Sequence, residues 1–240
     1  GHEETVKYLV KSGAEINRSA KNGRTPLYAA SRYGHKNIVE DLVESGVEIN
    51  CSDGEGYTAL YLACHNGDEE TVKYLVKSGA EVNRCTNDGR TPLYAACPSG
   101  HKNIVEYLHL SGADINGGEV NGFTLLRLAS FDGHQKIVEY LVESDVEINR
   151  ADNEGFTPLY LASENGHEET VKYLVKSGAE INRSAKNGRT PLYAASRYGH
   201  KNIVEDLVES GVEINCSDGE GYTALYLACH NGDEETVKYL

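Results

Sequence analysis

Methionine is absent from all 240 residues, position 1 included, and the chain opens on Gly1-His2-Glu3-Glu4. Both ends fall midway through a repeat, so the natural ends are expected to lie outside this sequence, and the missing leader says nothing about location. No apolar run approaches the ~18 residues a membrane-spanning helix needs, so no membrane span is expected. Positive charge is scarce: 23 Lys and Arg stand against 37 Asp and Glu, a net −14 at pH 7. That balance argues against nucleic acid or an anionic membrane as partner. Six cysteines occur (Cys51, Cys64, Cys85, Cys97, Cys216 and Cys229), yet none forms a CxxC pair. Without ligand spacing that recurs in each repeat, neither a zinc site nor a disulfide ladder is indicated. Unpaired cysteines lean toward an intracellular, reducing compartment, with an extracellular fibre as the alternative. No GxxxxGK phosphate loop is present, and no cofactor is implied.

What is present is a period. Thr-Pro-Leu-Tyr-Ala-Ala runs from Thr25 to Ala30 and returns at Thr91 and Thr190, with looser versions from Thr58, Thr124, Thr157 and Thr223. The threonines are spaced 33 residues apart. Each stretch reads as a helix start. The Thr hydroxyl can accept from an otherwise orphan amide, and Pro26 at the first helical position loses no bond. A glycine two residues earlier, such as Gly23 or Gly56, marks the turn leading in. A second helix follows a Gly turn and carries a Val 14 residues and a Leu 17 residues after each Thr, as at Val39 and Leu42. A unit this small cannot bury both stripes, whereas stacking on neighbours would. Cys64, Cys97 and Cys229 stand six residues after the Thr, where other copies have Ser, and are expected to be small buried thiols.

The order TPLYAA, Gly-His, a Val/Leu helix and Ser-Gly-Ala-Glu-Ile-Asn resembles the ankyrin repeat over the whole chain. The resemblance implies a mainly α fold: an ankyrin-repeat solenoid of stacked helix-turn-helix units with β-hairpin fingers. The chain would be a single array over residues 1–240, with a half repeat over 1–17, repeats from near 18, 51, 84, 117, 150 and 183, and a truncated one from 216. The family's signature His, which ties neighbouring turns together, is Tyr here (Tyr28, Tyr61, Tyr94, Tyr160, Tyr193, Tyr226) and Arg at Arg127. A tyrosine ladder along the stack is one expectation. The repeat at Thr124 departs most. It has Leu125 for Pro, Arg127 for Tyr, and Asp145 where other copies place a glycine suited to a left-handed cap. With His109 and Pro98 just before it, this is the expected weak point.

No catalytic constellation survives the periodicity, and no metal site is implied. His2, His35, His101, His134, His167 and His200 form the family's Gly-His corner, a structural role. Acidic pairs such as Glu3 and Glu4 open second helices, where they complement the helix dipole. Two columns vary between copies. One precedes each Thr: Arg24, Tyr57, Arg90, Phe123, Phe156, Arg189 and Tyr222. The other ends the first helix and includes Arg32, Tyr33, His65, Phe131, Arg197 and Tyr198. The resemblance implies that these columns line a concave face that binds protein partners, and their residue types suit interface hot spots. Asn17, Asn50, Asn182 and Asn215 lie in Asn-x-Ser sequons, but Asn83, Asn116 and Asn149 share their column without one. The column is therefore structural first, with glycosylation in a secreted protein, or the family's asparagine hydroxylation, as candidate modifications.

Residues 166–240 repeat residues 1–75 without a change, an offset of 165 residues or five repeats. Three functions follow: a non-enzymatic protein-binding scaffold, a long structural solenoid or filament, or the targeting arm of an enzyme domain outside this sequence. The identical copy points to self-association or continuation into a longer array, or to two sites for a bivalent partner.

Overall fold

The structure, a computed structural model, describes residues 2–117, 122 and 124–240. Its contacts separate two compact units, Gly1–Val120 and Asn121–Leu240. Both are built from the helix start read in the sequence. Thr25 is extended (φ −93°), its hydroxyl accepts the Tyr28 amide at 3.1 Å, and Pro26 takes the first helical position. The same cap opens the helices after Thr58, Thr91, Thr124, Thr157, Thr190 and Thr223.

In the first unit, inner helices α2 (Pro26–Arg32), α4 (Ala59–Asn66) and α6 (Pro92–Ala96) pack in succession. Outer helices α1 (His2–Lys11), α3 (Lys36–Glu44), α5 (Glu69–Lys77) and α7 (Lys102–Leu110) form a second row behind them. Leu27, Leu60 and Leu93 from the inner row meet Val39, Val72, Val105 and Leu42, Leu75, Leu108 from the outer, all buried. Each buried Leu contributes about 1.5–3 kcal/mol, so the rows hold by packing between repeats. Helix α6 is the shortest of this inner row, because Pro98 has no amide to continue the i to i−4 ladder.

The second unit has the same plan. Its inner row is α8 (Leu125–Phe131), α10 (Pro158–Glu164), α12 (Pro191–Tyr198) and α14 (Ala224–Asn231). Its outer row is α9 (Gln135–Glu143), α11 (Glu168–Lys176), α13 (Lys201–Glu209) and α15 (Glu234–Val237). Asp145 has φ +62°, the only non-glycine with positive φ among the described residues, as its place in a glycine column leads one to expect. Cys64 and Cys97 are buried, and burial pushes the Cys64 thiol far above its usual range. Cys229, in α14, is exposed instead, because the inner-row neighbour of α14 is α12 on one side.

The fingers are tighter than an extended ribbon. Thr86 donates its amide to the Arg90 carbonyl and Ala185 to that of Arg189, both at 2.9 Å. A glycine with positive φ, Gly89 or Gly188, closes each turn. Antiparallel pairing among the described residues amounts to the single bridges Ser52 to Thr58 and Ser217 to Thr223. Successive fingers share a backbone bond, as from Asn87 N to Glu55 O and from Lys186 N to Glu154 O, both 2.9 Å.

Side chains complete the bonding between repeats. Asn50 accepts the Glu81 amide at 2.9 Å and donates to the Gly79 carbonyl at 3.1 Å, and Asn83 repeats the pair on Asp114 and Gly112. Asn17, Asn149 and Asn182 accept in the same way. At the Gly-His corner, His167 Nε2 donates to the Phe131 carbonyl at 2.8 Å and His200 Nε2 to that of Glu164 at 3.0 Å. A carbonyl only accepts, so Nε2 carries the proton in both. Where Asp68 and Asp233 replace the corner His, they cap their own helices, and Asn66 and Asn231 donate to the carbonyls of Arg32 and Arg197, each at 2.7 Å. The acceptor is the same column as Phe131 and Glu164, so at these four helix ends one carbonyl is met by either device.

Candidate functional site

The residue before each Thr and the Tyr three after it are four residues apart, and their side chains pack together. Arg24 lies over the Tyr28 ring at 5.3 Å, Arg90 over Tyr94 at 5.5 Å and Arg189 over Tyr193 at 5.4 Å. Where the first member is aromatic, the rings pack: Tyr57 on Tyr61 at 4.9 Å, Phe156 on Tyr160 at 4.5 Å and Tyr222 on Tyr226 at 4.6 Å. Each of these tyrosines thus packs against a residue of its own repeat.

The tyrosine hydroxyl nevertheless reaches the next repeat. Tyr193 Oη donates to Asp218 Oδ2 at 2.8 Å, while Asp218 Oδ1 accepts the amides of Glu220 and Tyr222, both at 3.0 Å. Burial raises the Asp218 carboxyl, but the Tyr193 hydroxyl and these amides outweigh it and hold the group below its ordinary value. At the irregular repeat, Arg127 takes the tyrosine's place. Its Nη2 sits 2.5 Å from Asp152 Oδ2, its Nη1 donates to the Gly122 carbonyl at 2.9 Å, and Asp152 Oδ1 accepts from Glu154 and Phe156. Arg127 is 1% exposed, and its desolvation, partly offset by Asp152, lowers its pKa. One carboxylate therefore folds a finger and fastens the preceding inner helix.

In the first unit, Arg24, Arg32, Tyr33, Tyr57, His65 and Arg90 line one groove of about 520 Å³ between fingers and inner helices. Tyr28, Tyr61, Asp53, Glu55, Leu62 and Asn66 also line it; Tyr28 and Tyr61 are the column that replaces the signature His, whereas Asp53, Glu55 and Leu62 were not singled out in the sequence. The signal for Asp53 was its place four residues before Tyr57, shared by Asp152 before Phe156 and Asp218 before Tyr222. Arg32 Nη1 donates to Tyr28 Oη at 3.2 Å, Arg24 Nε lies 3.6 Å from Asp53 Oδ2, and Tyr33 is 69% exposed. Burial, before any neighbouring charge, raises the Tyr61 phenol.

The second unit carries the copied residues Arg189, Arg197, Tyr198 and Tyr222. Arg197 lies 5.8 Å from the Tyr198 ring centre, and Tyr198 and Tyr222 are exposed. Phe131 is exposed as well. Phe156 is half-buried against a cluster of Tyr160, Leu161 and Ala194, so it belongs as much to the core as to the face. Phe123 lies outside the described residues.

Charge is sorted between the rows. Every arginine lies in a finger or an inner helix, or at a finger's base. Every lysine except Lys21, Lys186 and the helix-end Lys238 lies in an outer helix. Among the described residues, no group of three His, Cys, Asp or Glu could hold a metal ion, and no helix is long and apolar enough to cross a membrane. A glycan on Asn50 Nδ2 would cost the bond to Gly79, and the same column position is occupied structurally at Asn17 and Asn182. Asn215 is exposed.

A family model described as ankyrin repeats (3 copies) matches residues 1–53, 42–119, 109–185 and 181–240. The crystal structure of the human ASB11 ankyrin repeat domain is similar to this chain with a TM-score of 0.83 and 30% sequence identity, covering 90% of this chain and 96% of that one. No curated protein matches.

Proposed function

The chain belongs to the ankyrin-repeat family, and on that premise we propose that it is a non-enzymatic scaffold that holds a protein partner against its fingers and inner helices. Ankyrin-repeat domains are non-catalytic modules that typically mediate protein–protein interaction. The observation that carries the reading is the groove of the first unit, which gathers arginine and aromatic side chains from three successive repeats. Arg, Tyr and His on stacked, buried supports keep rotamer entropy low on binding, the condition under which such residues become hot spots. The lysines of the outer helices are the residue type depleted at interface cores. A photo-crosslinking residue at Tyr33 should capture a protein that the same residue at Glu70, on the outer row, does not. Arg32→Ala should abolish that product. Equal capture from both rows would refute the assignment of the face.

A second reading rests on the unchanged copy of residues 1–75 at 166–240. In a structural solenoid or filament, the repetition itself would be the product of selection, and contacts would propagate without closing. Electron microscopy of the natural material separates the two. Filaments with an axial repeat commensurate with five units favour the structural role, and a species of single defined mass favours the scaffold. The targeting-arm reading needs only the full-length sequence to be decided.

A further inference from the structure

We propose that the chain binds a second copy of itself head to tail, with α14 of one copy receiving α1 and α2 of the next. The inference concerns two faces away from the groove and stands whether or not a partner occupies it. It comes from identical sequences that sit in different surroundings. Residues 216–231 repeat residues 51–66. Leu60, Tyr61 and Cys64 are buried where α4 packs against α6, and Leu60 is 2% exposed. Their copies in α14, Leu225, Tyr226 and Cys229, are exposed, Leu225 at 40%. The opposite face shows the same contrast. In α2, Pro26 and Ala29 are exposed, whereas their copies Pro191 and Ala194 in α12 are buried beside α10. In α1, Thr5 and Leu9 are exposed, Leu9 at 50%, whereas their copies Thr170 and Leu174 in α11 are buried beside α10.

The two faces complete each other. Helix α14 has the sequence of α4, and α2 opens on Pro26-Leu27-Tyr28-Ala29-Ala30, the same five residues that make up α6. Packing α14 against α2 of a second copy therefore reproduces an interface that the first unit already contains. In that register α1 of the second copy falls where α5 lies against α4. Residues 3–11 and 69–77 are the same nine, Glu-Glu-Thr-Val-Lys-Tyr-Leu-Val-Lys. On α14 this place is held by α15, a helix of 4 residues where α5 has 9. Helix α1 displaces α15 and becomes the outer helix of α14, burying Leu9 as Leu75 is buried. Removal of this apolar surface from water drives the association.

Charge runs on across the joint. Outer helices α1, α3, α5 and α7 open alternately on Glu-Glu and Lys-Asn, and α11, α13 and α15 do the same. Lys36 lies 3.5 Å from Glu70 of the following outer helix, and Asn37 donates to Glu3 of the preceding one at 2.6 Å. Lys201 in α13 reaches Glu235 of α15 at 2.9 Å, and Glu4 is the residue of α1 that matches Glu235. The incoming helix thus restores the carboxylate that it displaces, with a Lys-Asn helix, α3, behind it. Each joint leaves one α14 face and one α1–α2 face free, so the association is heterologous and continues past two copies.

The test uses the whole chain in sedimentation velocity over a range of concentrations. The average mass should rise steadily with concentration and fall again on dilution. Iodoacetamide with mass spectrometry supplies the local signal. As mass rises, Cys229 should react at least tenfold more slowly, approaching buried Cys64, while exposed Cys85 keeps its rate. Ala29→Glu blocks the α2 face and Leu225→Glu the α14 face. Each alone should weaken association at least tenfold, with circular dichroism showing both folded. Mixed, the two variants should form a two-chain species that grows no further, because each keeps the face that the other lacks. A chain that stays at monomer mass, an association that survives both substitutions, or a mixture no heavier than its parts would overturn the proposal. So would a Cys229 that reacts as fast in the associated chain as in the dilute one. None of these outcomes alters the crosslink expected at Tyr33, so the scaffold reading is judged separately.

Discussion

Replacing Arg127 by alanine should destabilise the first repeat of the second unit by about 3 kcal/mol, the lower end of the range for breaking a buried ion pair. The lower end applies because Asp152 keeps 12% side-chain exposure and can recruit water, whereas Arg127 keeps 1%. Alanine deletes the 2.5 Å contact to Asp152 Oδ2 and the bond to the Gly122 carbonyl, and leaves a carboxylate held only by the finger amides. With a urea slope of about 2 kcal/mol/M, the midpoint for this unit should fall by about 1.5 M. Arg127→Tyr is the informative control, because Tyr193 at the equivalent position satisfies Asp218 through its hydroxyl at 2.8 Å. That variant should lie within about 1 kcal/mol of the natural chain, the scale of one net hydrogen bond. A double-mutant cycle with Asp152→Ala should show coupling of at least about 1 kcal/mol, within the range for residues in direct contact. Hydrogen exchange at the Leu128 and Asp132 amides, both bonded inside or at the end of α8, would localise the loss. An unchanged midpoint for Arg127→Ala, or a tyrosine variant as damaged as the alanine one, would refute the view that the carboxylate fastens each finger to the preceding helix.

Asp145→Gly should stabilise the protein by about 0.5–1 kcal/mol in a melting measurement, because it relieves a side chain held at φ +62°. Gly67→Ala and Gly79→Ala both place a Cβ at positive φ, but only the first would fall 2.3 Å from His101 Cε1. Gly67→Ala should therefore melt lower than Gly79→Ala, and His101→Ala should close most of the gap. Asn50→Ala should lose two bonds between repeats, about 1–2 kcal/mol in total, with Asn50→Asp intermediate because it keeps the acceptor for Glu81. The Asp218 carboxyl is held below its ordinary value, so its stabilisation is complete above about pH 4 and is lost as pH falls through the folded value. Tyr193→Phe removes one of the donors holding it down, so acid unfolding of that variant should begin at higher pH. An unshifted acid limb would count against the hydroxyl's role.

The elements legible in the chain were those that repeat or depend on local backbone. Thr25 and its counterparts cap helices because a hydroxyl three residues from an amide needs no distant partner. The Val39 and Leu42 columns are buried because a 33-residue unit offers nothing else to cover them. Asp145 is left-handed because its column is otherwise glycine. Much of the candidate face was legible for the same reason: columns that vary among constant neighbours stand out, and Arg24, Arg32, Tyr33, Tyr57, His65 and Arg90 do share one groove.

Contacts between repeats were decided by tertiary structure. That Tyr193 would spend its hydroxyl on Asp218, or that Asn66 would do for the Arg32 carbonyl what His200 does for that of Glu164, depends on the distance between stacked units. Sequence spacing does not carry that distance. Phe156 and Tyr33 were alike as variable aromatics, yet one packs into the core and the other stands in solvent. Their columns project in different directions once the inner helices are stacked. A 33-residue period determines what each unit must bury, because hydrophobic area is a property of the unit. How neighbouring polar atoms find one another is a property of their relative placement, and only the packed rows supply it.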